Sequence, residues 1–345
     1  MLNYSQMTIL ITGAAGFIGS HLARRVLTTG AHVIGLDNIS GDQQLTTLRL
    51  AAIDAVHGDW QLVRGDICDR ILVDHVMREH APAIVVHLAA KAGVRASLAD
   101  PTAYVDTNIV GFHNILAACT KAHVKHLVYA SSSAVYGDST QVPFTEDAKA
   151  DQPVSVYAAT KRCDELLAHS YAAAFKLPVT GLRFFTVYGP MGRPDMACLK
   201  FANTWARGDT VELYDRGRGQ RDFTFVDDLM DVICPAMCQP PTGVTPHVVY
   251  NVGRGMPVDV LTFADALHQE LVAAGALSAG HDMAAHTRLV SRQIGDVQVT
   301  CADTTNLVHG LEYKPRTLLR DGLREFAKWY TEYKKSSSTV DEEKR

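Results

Sequence analysis

Tyr157 and Lys161 stand four residues apart in the run Tyr157-Ala158-Ala159-Thr160-Lys161. On a helix that spacing puts both side chains on one face, about 5–6 Å apart at Cβ. An ammonium beside a phenol favours the phenolate, so a group that ordinarily titrates near ~10 becomes a usable base at neutral pH. Ser131, Ser132 and Ser133 sit at the carboxyl end of an apolar run at residues 126–131. A serine hydroxyl at the carboxyl end of a strand could bond a substrate oxygen while Tyr157 moves its proton. A serine run also suits an ordinary turn, so its meaning depends on what else gathers at that edge.

A third group of residues supplies that context. Gly13, Gly16 and Gly19 lie in Gly13-Ala14-Ala15-Gly16-Phe17-Ile18-Gly19, between an apolar run at 8–12 and an amphipathic segment at 17–29. Glycines there permit a tight turn and let backbone N–H groups approach a pyrophosphate at a helix N-terminus. Asp37 ends the next apolar run, at 32–37. A carboxylate at that place accepts from adenosine ribose hydroxyls and repels a 2′-phosphate, which favours NAD over NADP. The same aspartate could cap a turn at Asn38 and Ser40. Asp66 follows a third run, 60–65, and either reaches an adenine or caps the helix starting near Asp69.

These residues need a scaffold that brings strand ends together. Apolar runs at 8–12, 32–37, 60–65, 84–89, 126–131 and 179–185 alternate with helical segments at 17–29, 102–122 and 153–175. Residues 84–89 (IVVHLA) are almost entirely apolar, as in a strand buried on both faces. The alternation predicts an α/β fold: a doubly wound parallel sheet of Rossmann type with right-handed crossovers. After Gly189 prolines break the pattern, which predicts a smaller, discontinuous C-terminal substrate domain. The expected division is 1–189 with 222–262 for the cofactor part and 190–221 with 263–334 for the substrate part. Within it, 248–252 returns to the sheet, 262–274 and 317–334 are helical, and the polar 335–345 is a disordered tail.

The chain has 345 residues, 47% hydrophobic and 20% charged, with a net charge of -4. That size supports a substantial core, and the charge gives no case for nucleic acid. No apolar run approaches the ~20 residues of a membrane span, and the first seven residues are too short and polar for a signal peptide. Seven scattered cysteines without a paired framework point to reduced thiols and a cytoplasmic location. No metal site is expected.

The whole set resembles the extended short-chain dehydrogenases/reductases, from about residue 8 to residue 333. The motifs are the glycine turn, Asp37, HLAA at 87–90, Asn108, SSSAVYG at 131–137, Tyr157/Lys161 and RDFTFVDD at 221–228. The resemblance implies Ser132, Tyr157 and Lys161 as the catalytic set. It implies NAD contacts from Gly13, Gly16, Phe17, Ile18, Gly19, Asp37, Asn38, Asp66, Ile67, Leu88, Ala89, Ala90 and Asn108, together with Tyr157 and Lys161. Within the family the chain is most similar to UDP-glucuronate 4-epimerases, through TVYGPMGRPDMA at 186–197 and GDV at 295–297.

That likeness implies reversible inversion at C4 of UDP-glucuronate, giving UDP-galacturonate through a transient 4-keto sugar. Thr186 and Arg193 then take the sugar carboxylate, since a hydroxyl and a guanidinium suit that group. Ser133 assists, Arg221 binds diphosphate, and Gln293 stands where some relatives place a second phosphate-binding arginine, with Arg292 beside it. Related decarboxylases and dehydratases carry acids at the positions of Ser133 and Ala134, and neither residue here can transfer a proton as a carboxylate does. Alternatives are a 4-epimerase of UDP-glucose or its N-acetyl analogue, a UDP-glucuronate decarboxylase, a net dehydrogenase, or a silent NAD-binding scaffold. The family also implies a homodimer built on the helices at 102–122 and 153–175.

Overall fold

The computed structural model describes residues 4–292 and 297–342. In its first part β1 (Thr8–Thr12), α1 (Phe17–Leu27), β2 (His32–Asp37), α2 (Gln43–Asp54), β3 (Asp59–Arg64), α3 (Arg70–His80) and β4 (Ile84–His87) alternate strand with helix. There follow α4 (Val94–Ala99), α5 (Pro101–Tyr104), a π-helical turn at Val105–Gly111, α6 (Phe112–Lys121), β5 (His126–Ser132), α7 (Val156–Phe175) and β6 (Val179–Phe184). The rest comprises β7 (Thr186–Tyr188), α8 (Ala197–Ala206), β8 (Val211–Leu213), β9 (Gln220–Phe225), α9 (Val226–Met237), β10 (His247–Val252), β11 (Pro257–Asp259), α10 (Val260–Ala273), β12 (Thr287–Leu289), α11 (Thr305–Leu311) and α12 (Leu319–Glu342).

The main sheet has seven strands in the order β10-β6-β5-β4-β1-β2-β3, and each pairs in parallel with its neighbours. This is the doubly wound arrangement expected from the alternation, with its order reversing between β1 and β4, where such sheets bind ligands. The central strands β1, β4 and β5 are buried almost throughout because helices cover both faces, whereas the edge strand β3 is partly exposed along its length. Along β1, Ile9 and Ile11 enter one buried cluster and Leu10 the other.

The predicted strands and helices are found with small shifts that have local causes. The α7 helix starts at Val156 rather than Pro153, because Ser155 is extended and its side chain accepts from the Ala158 N–H, an N-cap. β4 stops at His87, where the Leu88 N–H pairs with the Thr12 carbonyl and the chain leaves the sheet.

The second half differs more. β9 does not join the main sheet; it pairs with β7 and β11 in a separate three-stranded sheet. α9 and β10 do rejoin the large unit, so the segment 222–262 is divided between the two. Of the segment expected to be a disordered tail, 343–345 lie outside the described residues, and before them α12 runs on to Glu342. No glycine or proline follows Gly322 to stop it. No helix among the described residues is long and apolar enough to cross a membrane.

Candidate active site

The first turn of the sheet needs its glycines. Gly13 takes a left-handed conformation (φ 70°) and its N–H donates to the Leu36 carbonyl at 2.8 Å. A Cβ on Gly13 would sit 2.7 Å from the Ala89 nitrogen, and one on Gly19 would sit 2.1 Å from the Gly13 oxygen. Side chains there would push the turn away from β4 and α1. No side chain caps the start of α1, which leaves that helix end for an anion.

Beside this turn lies a cavity of about 330 Å³, lined by Gly13, Gly16, Phe17, Asp37, Asn38, Asp66, Ile67, Leu88, Ala89 and Ala90 among others. Ten of the expected cofactor residues therefore line one cavity, and the shape left by the missing glycine side chains fits a dinucleotide's pyrophosphate. Asp37 accepts from the Ala15 N–H at 3.0 Å and the Ile39 N–H at 2.8 Å. It thus closes the turn at Ile39 and ties it to the glycine loop. Burial holds its carboxyl above the usual range, against those two donors and Arg49. Asp66 accepts from the Cys68 N–H at 2.9 Å and the Asn38 amide at 2.8 Å. Partial burial raises its carboxyl, but these donors and Lys91 outweigh it and the net shift is downward. The cap of α3 is Asp69, not Asp66.

A second cavity of about 870 Å³ continues from the first, sharing Gly13, Gly16, Phe17, Leu88, Ala90 and Arg193 with it. Its lining adds Ile18, Gly19, Ser132, Ser133, Tyr157, Lys161, Thr186 and Arg221. The catalytic and substrate residues expected from sequence are thus assembled, apart from Gln293, which lies outside the described residues. So do Gly295 and Asp296 of the GDV motif. Arg292 lies within 3.4 Å of Asp138.

Ser132 ends β5, and its Oγ accepts from the Ala134 N–H at 3.1 Å. Among the described residues no acceptor takes the hydroxyl's own hydrogen. Tyr157, in the first turn of α7, packs edge-on against Tyr104, ring centroids 6.2 Å apart. Lys161 is buried, its Nζ donating to the Ala130 carbonyl at 2.9 Å and to Asp164 at 3.0 Å. Asn108 lines neither cavity. Its amide bonds the Lys91 backbone at 2.9 and 3.0 Å and Thr160 at 2.9 Å, clamping that loop to α7. The π-helical turn that carries Asn108 is what aims it there.

Arg193 pairs with Asp195 at 2.6 Å and reaches the Ala92 carbonyl at 3.5 Å. Burial opposes the guanidinium's charge, but Asp195 outweighs it, so the charge is held more firmly than usual. Sequence reasoning missed what fixes this loop. The buried Arg49 guanidinium donates to the Met191 carbonyl at 2.7 Å and the Gly192 carbonyl at 3.2 Å. Burial pushes Arg49 down to about 10. His21 also lies 3.0 Å from the Pro190 carbonyl. Arg49 sits in a helix whose apolar pattern is weak, so it carried no signal.

Two further groups complete the site. The fully buried His87 lies 2.8 Å from the Thr12 hydroxyl, which also accepts from the Ala89 N–H at 3.2 Å. Burial, aided by Lys161, lowers His87 to about 3, so the ring is neutral. Beneath β5, Glu165 takes the Ser131 hydroxyl at 2.7 Å and a two-pronged Arg183 contact at 2.8 and 2.9 Å. That network fixes the strand end next to Ser132.

Residues 9–253 match the NAD dependent epimerase/dehydratase family. The chain is 40% identical to Protein CapI of Staphylococcus aureus, across 95% of this chain and 100% of that one. It is 39% identical to a probable UDP-glucuronate 4-epimerase of Rhizobium meliloti (strain 1021), across 97% of this chain and 100% of the relative. A crystal structure of UDP-glucuronic acid 4-epimerase from Bacillus cereus, in complex with UDP-glucuronic acid and NAD, matches with a TM-score of 0.83 and 30% identity. The match covers 94% of this chain and 99% of that one.

Proposed function

The chain belongs to the NAD dependent epimerase/dehydratase family, and on that premise we propose that it interconverts UDP-glucuronate and UDP-galacturonate by inversion at C4. The observation that carries this reading is a single cavity in which the glycine turn, Ser132, Tyr157 and Lys161 meet Thr186, Arg193 and Arg221. The family fit and the named relatives agree with it.

NAD, when bound, supplies the acceptor and later the donor of the C4 hydride. The glycine turn and the start of α1 bind its pyrophosphate. Asp37 has lone pairs left after its two backbone contacts, enough to accept ribose hydroxyls. Tyr157 takes the proton from O4 and returns it. Ser132, already accepting from Ala134, donates its hydrogen to O4 as the carbonyl forms. Lys161 has one N–H beyond those given to Ala130 and Asp164, and its charge favours negative charge on the Tyr157 oxygen. Thr186, Ser133 and Arg193 receive the C6 carboxylate. Arg221, whose Nη1 donates to the Gln220 carbonyl at 2.8 Å, binds the diphosphate. Inversion requires the 4-keto sugar to present its other face before the hydride returns. Gln293 keeps its proposed place as a phosphate contact.

The seven-stranded unit serves the cofactor and the later segments serve the sugar nucleotide. A homodimer is proposed through α7 and its neighbours, where Val105, Val110, Leu166 and Phe175 are exposed apolar residues. Seven free cysteines support work in a reducing cytoplasm.

Anaerobic incubation with UDP-glucuronate, followed by NMR of the products, tests the reaction. The expected product is UDP-galacturonate, without a UDP-pentose and without sustained absorbance change at 340 nm. A pentose product, or better turnover of UDP-glucose, would refute it.

A further inference from the structure

We infer that Asp164 is a positioning residue for Lys161, fixing where the ammonium sits and how much of its charge reaches Tyr157. This rests on the reading of Lys161 and Tyr157 as the hydride-transfer set.

Asp164 follows Lys161 by three residues on α7, and the two side chains are 1% and 3% exposed. The pair is closed at 3.0 Å. The other oxygen of Asp164, Oδ1, is buried without a hydrogen-bond partner among the described residues. The neighbouring Glu165 shows what a structural carboxylate looks like in the same helix. There both oxygens are bonded, to Ser131, Arg183 and Arg162. A buried carboxylate with a single charged partner is costly as a structural element. Its evident consequence is local: it holds one N–H of Lys161 and offsets the ammonium's charge.

The charged and titratable groups around the pair are few. Glu165 and Cys163 lie beside Asp164 on α7, Tyr129 faces it from β5, and His87 faces Lys161 from β4. Glu165 is neutralised by Arg183 and Arg162, and His87 is neutral, so neither offsets Lys161. Burial pushes the Asp164 carboxyl up, to about 6, against the pull of Lys161. Above that pH the carboxylate offsets the ammonium. Below it Lys161 stands as an unopposed cation.

Asp164→Asn keeps an acceptor for Nζ and removes the charge. The test is kcat/KM for UDP-glucuronate from pH 5 to 9, wild type beside variant. The expected acid limb of the variant lies lower by roughly one pH unit. The two curves converge below about pH 6, where wild-type Asp164 is itself protonated. Superimposable curves across the range would overturn the proposal. Because the variant also perturbs packing, melting temperature is read in a second background. Lys161→Met strands the buried carboxylate and lowers the melting temperature, and adding Asp164→Asn restores it. Absence of that recovery would also overturn the proposal. The melting arm needs no substrate, so it stands even if wild type fails to epimerise UDP-glucuronate, which would instead sink the reaction assigned above.

Discussion

Replacing Arg193 by methionine separates recognition of a uronate from recognition of any UDP-sugar. The substitution removes the guanidinium and keeps most of the stem. Arg193 lines both cavities, and its loop is pinned by Arg49 and His21, so the backbone should stay in place. A hydrogen bond to a charged partner contributes about 1.5–3 kcal/mol. Against this, the guanidinium must share or release Asp195, whose side chain is 58% exposed. A pair so exposed is worth at most about 1 kcal/mol. The net loss for a uronate is then about 1–2 kcal/mol, which is roughly 5- to 30-fold in kcat/KM. UDP-glucose has no carboxylate and should change less than about twofold by the same reckoning. Initial epimerisation rates for both sugars, read by NMR or chromatography, give the ratio directly. An equal fall for the two would show that Arg193 holds the loop or the diphosphate instead, and would refute the reasoning.

Three further outcomes are expected. Tyr157→Phe should lower epimerisation by roughly 10²–10⁴-fold, the usual contribution of a positioned acid–base group; unchanged turnover would remove Tyr157 from the mechanism. Arg183→Met leaves the buried Glu165 with the Ser131 hydroxyl and the partly exposed Arg162 and should destabilise by about 3–5 kcal/mol, read as a melting temperature lowered by several degrees; no change would mean the network is dispensable. Burial lowers His87 to about 3 and His126 and His247 to about 4. Below their ordinary range the unfolded chain binds protons that the folded chain does not, so stability falls as pH drops from about 6.5 towards 4. Melting temperatures across that window test the sign, and a flat profile would contradict it.

Much of this was legible because the chemistry constrained the residues. The Gly13 turn, Asp37 and the strand ending at Ser132 announce themselves, since few residue types permit a backbone contact as close as that of Gly13 to Ala89. The central strands β1 and β4 were legible because burial on both faces makes them largely apolar. What stayed hidden depends on long-range pairing. β7, β8, β11 and β12 are three residues each, too short for a period to show. Arg49 and Asp164 look in sequence like solvated helix positions. Only the fold reveals that one is aimed at the Met191 carbonyl and the other buried against Lys161. Asn108 was singled out by its motif, but its clamp on Lys91 and Thr160 depends on a π-helical turn that leaves no mark in residue types.

The charge of the larger cavity bears on why inversion, rather than loss of CO2, should follow oxidation. Among the described residues its lining brings Arg95, Lys161, Arg193, Lys200 and Arg221 against one carboxylate, Asp195, and Asp195 is already paired with Arg193. Around the expected sugar position the chain offers hydroxyls and cations, with Ser133 and Ala134 where an acid would otherwise stand. A 4-keto uronate is a β-keto acid, and as CO2 leaves, negative charge moves off the carboxylate towards the keto oxygen. A guanidinium fixed on the carboxylate stabilises the state before that movement more than the transition state, which raises the barrier to decarboxylation. The same contact costs nothing in the hydride steps, where the carboxylate charge does not change. With the C6 carboxylate in its proposed place on Arg193, that contact would separate two fates of one intermediate, and Arg193→Met should release detectable UDP-pentose alongside UDP-galacturonate, whereas a variant that slows epimerisation yet yields no pentose would place the protection elsewhere.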